Sequence, residues 1–379
     1  MKIPFNKPYL TGKESHYMYQ AVYDGKISGN GKFTKRCQKY FEERYGFRKC
    51  LLTTSCTDAL EMASILCDVR PGDEVIVPSY TFVSSALAFV RAGAKIVFAD
   101  SRAENPNIDA SKIEELITPR TKVIVPVHYA GVACDMDKIM EIADRHNILV
   151  VEDAAQAIDS YYVSPRTGEK KALGSIGHFG CFSFHETKNI ISGEGGMLTI
   201  NDERFIRRAE IIWEKGTNRA EFFRGEVNKY GWVDVGSSFL PSEVTAAFLW
   251  AQIEHLDMIQ EKRKMLWNRY FELLSLAAHG KFLLPDIPAY ATNNAHIFYL
   301  VCNSLEERTA LISELKANDI EAVFHYLSLH SSPFYHDKHD GCELPNCDRF
   351  ADCLVRLPMF YELSEEDVKR ICEVIKMMK

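Results

Sequence analysis

Short apolar runs alternate with helical patterns through the first half of the chain, and this alternation constrains the fold more than any other feature. The runs that predict buried strands lie at 74–78, 95–99, 122–127 and 149–152. The segments with apolar residues at helical spacing lie at 59–69, 83–91 and 136–146. Because strands joined by helices form right-handed crossovers, the pattern predicts an α/β fold with a mostly parallel sheet covered on both faces.

The second half of the chain begins with two more strands and helices and then changes to a different mixture of elements. Two more strands are predicted at 179–184 and 196–200, and helical segments at 204–213 and 242–274 follow. The remaining predictions are a strand at 297–302, a helix at 306–317, a strand at 321–326 and a helix at 365–378. This mixture predicts a smaller α+β domain. We therefore expect a large domain over residues 1–250 and a small C-terminal domain over residues 251–379.

Charge and composition argue against several kinds of partner. The net charge is −7, from 45 Lys and Arg against 52 Asp and Glu, and no basic block is present. We therefore expect neither nucleic acid nor a membrane as a partner. No segment approaches the ~20 apolar residues of a membrane span, and residues 1–9 lack a signal peptide pattern, which predicts a cytoplasmic protein. The 11 scattered cysteines predict free thiols and no disulfides.

The segment 150–196 points most directly to chemistry. Asp153 follows a buried strand, at the edge where open α/β sheets bind ligands. Lys188 follows Phe182-Ser183-Phe184-His185 and precedes a glycine-rich turn at 192–196. Taken singly, Asp153 also suits a helix N-cap and Lys188 an ordinary surface position. Taken together they supply the lysine for a Schiff base and the carboxylate for a pyridine nitrogen that a pyridoxal cofactor needs.

These segments resemble the nucleotide-sugar aminotransferase family of the DegT/DnrJ/StrS type, and the resemblance covers essentially the whole chain. Its most specific marks are Glu152-Asp153-Ala154-Ala155-Gln156 and the residues leading to Lys188. The resemblance implies an aspartate-aminotransferase-like fold (PLP fold type I), with a sheet of the seven-stranded type, and pyridoxal 5′-phosphate as cofactor. It also implies that Lys188 carries the cofactor and moves the substrate proton, while Asp153 keeps the pyridine nitrogen protonated.

The same resemblance assigns the contacts to the cofactor phosphate. A turn of small residues at 53–58, which includes Cys56 and Thr57, opens a predicted helix whose first N–H groups suit an anion. Many family members have glycine where Cys56 stands. Ser183 would also reach the phosphate with its hydroxyl, and the alternative is a strand serine bonded to backbone.

Contacts to the cofactor ring are assigned in the same way. Gln156 would hydrogen-bond the ring hydroxyl, with a helix-surface amide as the alternative. Phe82 would stack on the ring, with a core phenylalanine as the alternative. His128 stands at a strand end near the cofactor in relatives, and a structural histidine is an equal alternative.

The resemblance further implies a homodimer with shared active sites. Many relatives carry an asparagine in the stretch matching 236–240, and it reaches the cofactor phosphate of the neighbouring subunit. Ser238 stands at that position here. The contact with the neighbouring phosphate is then either made by this shorter hydroxyl or absent.

Substrate contacts are expected in two segments. Asn218 and Arg219 belong to a polar, basic and aromatic cluster that suits a diphosphate, with a solvated loop as the alternative. His325 and His330 resemble a family segment that lines the sugar pocket, and His185 is assigned with them. The resemblance makes dTDP-4-keto-6-deoxy-D-glucose the expected acceptor and L-glutamate the expected amino donor.

Two other motifs suggest different sites. The stretch 336–342, with Cys347 and Cys353, has a spacing that suggests zinc, but Pro333 and Pro345 favour a surface loop, so we expect no metal. Residues 28–32 (Ser-Gly-Asn-Gly-Lys) lack the strand and helix of a phosphate-binding loop, which predicts an ordered turn.

Three other functions compete with the transaminase. Dehydratases of the same family carry histidine where Lys188 stands, which argues against that activity. A sugar-binding regulator on the same fold would not need both Asp153 and Lys188. A nicotinamide-dependent dehydrogenase is disfavoured because no G-x-G-x-x-G follows the first strand.

Overall fold

A computed structural model describes residues 2–276, 278 and 280–377. The helices are α1 (Glu14–Tyr23), α2 (Lys32–Tyr45), α3 (Cys56–Leu66), α4 (Ser84–Arg91), α5 (Met136–His146), α6 (Ile206–Trp213), α7 (Arg219–Phe223), α8 (Glu243–Ile253), α9 (Leu256–Ser275), α10 (Leu305–Ala317), α11 (Pro345–Cys353) and α12 (Glu365–Met377). The strands are β1 (Lys49–Thr53), β2 (Glu74–Pro78), β3 (Lys95–Ala99), β4 (Thr121–Ile124), β5 (Leu149–Asp153), β6 (Tyr161–Val163), β7 (Lys170–Ala172), β8 (Phe179–Ser183), β9 (Gly196–Ile200), β10 (Phe282–Leu283), β11 (Phe298–Cys302), β12 (Val323–Phe324) and β13 (Leu354–Leu357). Met378, the predicted end of the last helix, lies outside the described residues, as do residues 1 and 379, the outer limits of the predicted domains.

The larger sheet has seven strands in the order β1-β9-β8-β5-β4-β2-β3. The pairs β2–β3, β2–β4, β4–β5 and β5–β8 are parallel. Within the described part of the chain, β9 is the strand of this sheet that runs in the opposite direction, between β1 and β8. Every residue of β2 is buried, which explains its unbroken apolar sequence. The predicted α/β fold with a mostly parallel sheet is confirmed.

The smaller sheet has the order β10-β11-β13-β12, and its neighbouring strands are antiparallel. Apolar side chains of this sheet pack with residues of α9, α10 and α12 in one core, which includes Phe298, Leu300, Leu315 and Ile371. The predicted smaller α+β unit is thus present. The predicted boundary near residue 250 falls inside α8 and stays a prediction.

The helix predicted over 242–274 is two helices, α8 and α9, which separate at Glu254 and His255. The N–H of His255 donates to the carbonyl of Gln252 at 3.0 Å. Its ring Nδ1 is 2.9 Å from the carbonyl of Ala251. These contacts close the end of α8 without a proline or a glycine. Apolar spacing does not reveal such a break, because the spacing continues on both sides.

The turn at residues 28–32 is ordered around a buried carboxylate. Glu243, at the start of α8, accepts hydrogen bonds from the N–H groups of Gly31 at 2.9 Å, Phe33 at 2.7 Å and Thr34 at 3.1 Å. A Cβ on Gly31 would lie 2.5 Å from the carboxyl carbon of Glu243, so this position requires glycine. The N-terminus of α2 therefore already holds an anion from the protein itself.

Two further observations concern membrane-spanning helices and the cysteines. No helix among the described residues has both the length and the apolar character needed to cross a membrane. All 11 cysteines are free thiols, and Cys342 is the exposed one.

Candidate active site

A cavity of about 280 Å³ lies at the edge of the larger sheet where its parallel strands end. Lys188, Asp153 and the start of α3 line one side of this cavity. Tyr326 and Arg356, from the region of the smaller sheet, line another. Ligands of open α/β sheets bind at such an edge, because the turns that follow the parallel strands converge there.

Lys188 stands in the turn between β8 and β9 and lines the cavity. Its backbone N–H donates to the carbonyl of His185 at 2.9 Å, which fixes the start of its side chain. Burial lowers the pKa of Lys188 to about 8; the charge of Arg356 lowers it as well, whereas Cys56 and Asp153 oppose the shift. At pH 7 about a tenth of this amine is therefore uncharged and nucleophilic, far more than for a lysine of ordinary pKa.

Asp153 is the last residue of β5 and is only 5% exposed. Its Oδ2 accepts a 2.6 Å hydrogen bond from the hydroxyl of Ser85, and its Oδ1 accepts a 3.1 Å hydrogen bond from the N–H of Ala155. Turns rather than a helix follow Asp153, so the N-cap alternative lacks the helix it needs. The carboxylate is instead held at the wall of the cavity that contains Lys188.

Cys56 and Thr57 are the first residues of α3 and line the same cavity. Ser55 caps the helix by accepting a 3.1 Å hydrogen bond from the N–H of Asp58. A Cβ on Gly196 would lie 2.4 Å from the carbonyl of Ser55, so β9 needs glycine to pass this turn closely. The first N–H groups of a helix have no partner inside the helix, which leaves them available to an anion.

Ser183, Gln156 and Phe82 also line the cavity. The Ser183 hydroxyl accepts a 3.3 Å hydrogen bond from the N–H of His185. The Gln156 side-chain oxygen accepts from the N–H of Ala130 at 2.7 Å, and its amide nitrogen donates to the hydroxyl of Tyr326 at 3.1 Å. Phe82 is 55% exposed, which is not the burial of a core phenylalanine. Its ring is free to cover a flat ligand.

His128 is fully buried, and other protein groups use both of its ring nitrogens. Nδ1 accepts from the N–H of Cys134 at 3.2 Å, and Nε2 lies 2.9 Å from Oε2 of Glu152. Glu152 also accepts hydrogen bonds from the N–H groups of Gly174, Ile176 and Gly177. This geometry favours the structural alternative for His128.

Two of the predicted substrate residues line the cavity, namely His185 and His325. The Nδ1 of His325 is 2.8 Å from the hydroxyl of Tyr129, and its ring packs against Tyr326 with the centroids 3.5 Å apart. Burial keeps the pKa of His325 well below its usual value, and the charges of Arg356 and Lys188 add to this effect. His325 is therefore a neutral imidazole at neutral pH.

The other predicted substrate residues lie outside this cavity. The Asn218 side-chain oxygen accepts a 2.8 Å hydrogen bond from the N–H of Gly231 and so fixes its own loop. Arg219 lines a second cavity of about 570 Å³ together with other basic residues, namely Lys26, Lys35, Lys49, Lys215 and Arg224. The Nδ1 of His330 is 2.7 Å from the hydroxyl of Ser79. Ser238 is exposed, forms an isolated β-bridge with Glu214 through the backbone, and does not line the Lys188 cavity of its own chain.

The stretch 336–342, whose spacing suggests zinc, carries no ligand cluster among the residues that the structure describes. His339 bonds to the carbonyl of Cys342 at 2.8 Å, and the buried Cys347 contacts the carbonyl of Ala99. Across the described residues, no group of three or more His, Cys, Asp or Glu side chains is arranged to hold a metal ion.

Sequence reasoning did not select Arg356 or His296, yet both line the cavity. Arg356 lies on β13 between apolar residues. His296 is buried, and its Nδ1 is 2.8 Å from the side-chain oxygen of Asn189. A lone arginine inside an otherwise apolar strand was the available signal for Arg356, since a buried charge needs a reason to be there.

Comparison with known proteins finds relatives that span nearly the whole chain. A model of the DegT/DnrJ/EryC1/StrS aminotransferase family matches residues 9–376. GDP-perosamine synthase of Caulobacter vibrioides is 34% identical over 98% of this chain and 96% of its own. The spore coat polysaccharide biosynthesis protein SpsC of Bacillus subtilis is 30% identical over 99% of this chain and 96% of its own. Among solved structures, the putative sugar aminotransferase Spr1654 from Streptococcus pneumoniae in its PMP form has a TM-score of 0.90 and 27% identity, covering 99% of this chain and 98% of that one.

Proposed function

The chain belongs to the DegT/DnrJ/EryC1/StrS aminotransferase family, and from that premise we propose that it transfers an amino group to a nucleotide-linked keto sugar. Membership makes it an aminotransferase, which confirms the predicted family. The Spr1654 structures in PLP and PMP forms confirm the predicted fold and the predicted cofactor, pyridoxal phosphate. The substrate and the roles of single residues belong to the proposal.

The proposed reaction moves the amino group of L-glutamate to C4 of dTDP-4-keto-6-deoxy-D-glucose and gives dTDP-4-amino-4,6-dideoxy-D-galactose. It is supported by a resemblance to the transaminase that makes this sugar for enterobacterial common antigen. The segments that carry the resemblance are 79–84, 127–134, 215–219 and 356–361. The relative named GDP-perosamine synthase favours a nucleotide-linked sugar in general and leaves another nucleotide as the alternative.

The cavity suits the cofactor in four ways. Lys188 supplies an amine of lowered pKa for the covalent link. Asp153 supplies a carboxylate for the pyridine nitrogen, and the start of α3, with Cys56 and Thr57, supplies N–H donors for the phosphate. The half-exposed ring of Phe82 can cover one face of the cofactor. When bound, the cofactor supplies a ring that withdraws the electron pair released as the substrate C–H bond breaks.

The residues of this chain then perform separate tasks. Lys188 would take the proton from the substrate carbon, hold it on its amine nitrogen and then give it up from that same atom. Asp153, held by Ser85 and Ala155, keeps a proton on the ring nitrogen. Gln156, whose side-chain oxygen accepts a hydrogen bond from the N–H of Ala130, would hydrogen-bond the ring hydroxyl.

Ser183 completes the phosphate contacts in this proposal. Its hydroxyl lines the cavity, and the hydrogen bond from His185 fixes its direction. His185 and His325 line the same cavity and would contact the sugar.

A homodimer with shared active sites is part of the proposal. Ser238 and Trp232, which is 84% exposed, lie on a segment that does not line the Lys188 cavity of its own chain. That exposure supports a role across an interface, where Ser238 would contact the cofactor phosphate bound to the partner subunit. The basic cavity around Arg219 would bind the diphosphate of the sugar substrate. The predicted role of His330 rests on the resemblance alone.

The observation that carries the proposal is the convergence of Lys188 and Asp153 on one cavity. The purified enzyme should convert dTDP-4-keto-6-deoxy-D-glucose and L-glutamate to one amino sugar, which NMR identifies together with its stereochemistry. GDP- and UDP-linked keto sugars serve as competitors. Equal turnover with all three would contradict the nucleotide preference, and no product with any of them would contradict the transaminase. A bound cofactor without turnover would favour the sugar-binding regulator.

A further inference from the structure

His296 is a buried histidine of the Lys188 cavity that the proposed function does not use. It is only 3% exposed and lines that cavity. Its backbone N–H donates to Oδ1 of Asn294 at 3.1 Å, and its carbonyl accepts a 2.5 Å hydrogen bond from the guanidinium of Arg263. The backbone that carries the imidazole is therefore held in place on both sides.

Asn189 determines which ring nitrogen of His296 carries the proton. Nδ2 of Asn189 donates to the backbone carbonyl of Asn294 at 2.9 Å and to Oε1 of Gln260 at 2.7 Å. Because a backbone carbonyl can only accept, the Asn189 amide cannot be turned around, and its Oδ1 is the atom that lies 2.8 Å from Nδ1 of His296. That oxygen needs a donor. Nδ1 therefore carries the N–H, and Nε2 of the neutral ring keeps its lone pair.

The surroundings of His296 keep the ring neutral. Burial holds the pKa of His296 well below its usual value. Charged neighbours lower it further, and these are Lys188, Arg356, Arg263 and, when protonated, His325. In the part of the chain that the structure describes, Nε2 has no hydrogen-bond partner. Nε2 is thus an uncharged acceptor at the wall of the cavity, available to a donor.

Lys188 supplies a donor in the same cavity. Asn189 directly follows Lys188, so the residue that orients His296 belongs to the turn that carries the amine. The charge of Lys188 acts on the pKa of His296, which reflects the proximity of the two side chains. Nζ of Lys188 also makes no hydrogen bond to any described residue. A donor and an acceptor without partners therefore share one cavity.

The carboxylates that line the cavity are less suited to orient this amine. Asp153 has hydrogen-bond partners of its own and is assigned to the ring nitrogen of the cofactor. Glu194 is largely exposed and lies 3.7 Å from Nε2 of His185. A carboxylate would also favour the ammonium form of Lys188, which cannot take up a proton. A neutral imidazole can bond the uncharged amine without this effect.

We propose that Nε2 of His296 accepts a hydrogen bond from the amine of Lys188 whenever that amine is free, and so turns the lone pair of the amine toward the substrate carbon. Only the lone pair can take a proton, so the N–H groups must point elsewhere. His296 is a positioning residue, because it acts through Lys188, and Asn189 fixes its tautomer. The inference rests on the proposed function, since it assumes that Lys188 transfers the proton.

Two substitutions separate the acceptor from the hydrogen bond to Asn189. In His296→Asn the amide nitrogen is as many bonds from Cα as Nδ1 is, so the bond to Asn189 is kept and the acceptor is lost. In His296→Gln the side-chain oxygen is as many bonds from Cα as Nε2 is, so an acceptor is kept. We expect kcat to fall by about 10- to 100-fold in His296→Asn, the effect of losing one oriented hydrogen bond, with KM for L-glutamate nearly unchanged. His296→Gln should recover part of this loss, and equal losses in the two variants would overturn the inference.

L-glutamate deuterated at its α-carbon tests whether proton transfer is the step that slows. The absorbance of the cofactor reports the first half-reaction, and its isotope effect should be at least as large in His296→Asn as in the wild type. A slower half-reaction with a smaller isotope effect would assign the loss to another step and overturn the inference. His178→Asn is the matched control, because the Nδ1 of His178 accepts from the N–H of Val150 at 3.0 Å outside this cavity. Its rates should equal those of the wild type, and cofactor content and thermal unfolding should be unchanged in every variant.

A third measurement does not depend on turnover. In enzyme loaded with pyridoxamine phosphate the Lys188 amine is free, and ¹⁵N NMR of labelled histidine reports both ring nitrogens of His296, assigned by their loss in His296→Gln. Nε2 should have the shift of a nitrogen with a lone pair and should move downfield in Lys188→Ala, where the donor is missing. A protonated Nε2, or the same Nε2 shift with and without Lys188, would overturn the inference. If the wild-type holoenzyme responds to no amino donor, the proposed function fails, and the NMR result still decides whether His296 and Lys188 are hydrogen-bonded.

Discussion

The hydroxyl of Ser85 donates a 2.6 Å hydrogen bond to Oδ2 of Asp153, and both residues are buried. Ser85 lies in the first turn of α4 and Asp153 ends β5, so the contact joins the start of a helix to the end of a strand. Thr81 extends the chain of hydroxyls, with its Oγ1 2.8 Å from that of Ser85. A carboxylate held in this way has a fixed direction before any ligand arrives.

Replacing Asp153 with asparagine should abolish most activity while the protein stays folded. The amide has nearly the same shape but no negative charge to hold a proton on the ring nitrogen. We expect turnover to fall by about three powers of ten or more, each power corresponding to about 1.36 kcal/mol of barrier. Steady-state kinetics, cofactor content and thermal unfolding measured together check this. Near-normal turnover would contradict the role of Asp153.

Reduction of the holoenzyme with borohydride should attach the cofactor to Lys188. Peptide mapping by mass spectrometry should find the label between Phe182 and Gly193, and the Lys188→Ala protein should carry none. A label on Lys215 or on any other lysine would contradict the assignment.

The uptake of pyridoxal phosphate by the apoenzyme should depend on pH with a midpoint near 8. Only the uncharged amine of Lys188 can attack the aldehyde, and burial lowers its pKa to about 8. The rate constant should therefore rise with pH below 8 and level off above it. Stopped-flow absorbance measures this, and a midpoint near 10 would contradict it. Because the charge of Arg356 lowers the pKa of Lys188, Arg356→Met should move the midpoint upward.

Replacing Glu152 with glutamine should destabilise the protein. Glu152 itself takes no direct part in the chemistry. The Glu152 carboxylate accepts hydrogen bonds from three backbone N–H groups and from His128, and an amide NH₂ would face some of these donors. We expect the free energy of unfolding to fall by roughly 2 to 4 kcal/mol. Glu203→Gln, which alters an exposed pair with Arg48, is the control and should change it by less than about 0.5 kcal/mol. Equal stability of both variants would contradict the structural role of His128 and Glu152.

Mixed dimers should test whether Ser238 acts across the interface. Lys188→Ala and Ser238→Glu subunits are each expected to be inactive alone. After mixing, half of the dimers should be hybrids with one intact site, so activity should recover to about a quarter of the wild-type value. If activity does not recover, Ser238 makes no contribution to the neighbouring active site. An active monomer in sedimentation would contradict the proposed homodimer.

The elements predicted best from sequence are those with a local signal. The parallel strands around Asp153 are apolar runs, and the turn that carries Lys188 sits between an aromatic strand and a glycine-rich segment. The local signal for Arg356 is only that a lone arginine interrupts an apolar strand, and its position in the cavity depends on how β13 pairs with β11 and β12. The same holds for Ile3, whose N–H donates to the carbonyl of Asp319 at 2.8 Å, a contact between opposite ends of the chain.

The carboxylate of Glu243, a residue of α8, binds the start of α2, and this contact affects the order in which the two helices come together during synthesis. Its partner Gly31 is 212 positions earlier in the chain. While the ribosome has not yet released residue 243, the N–H groups at the start of α2 have only water as a partner. In the nascent amino-terminal half, α2 therefore lacks this cap, and the turn at residues 28–32 gains its hydrogen bonds to Glu243 only after α8 has emerged and docked.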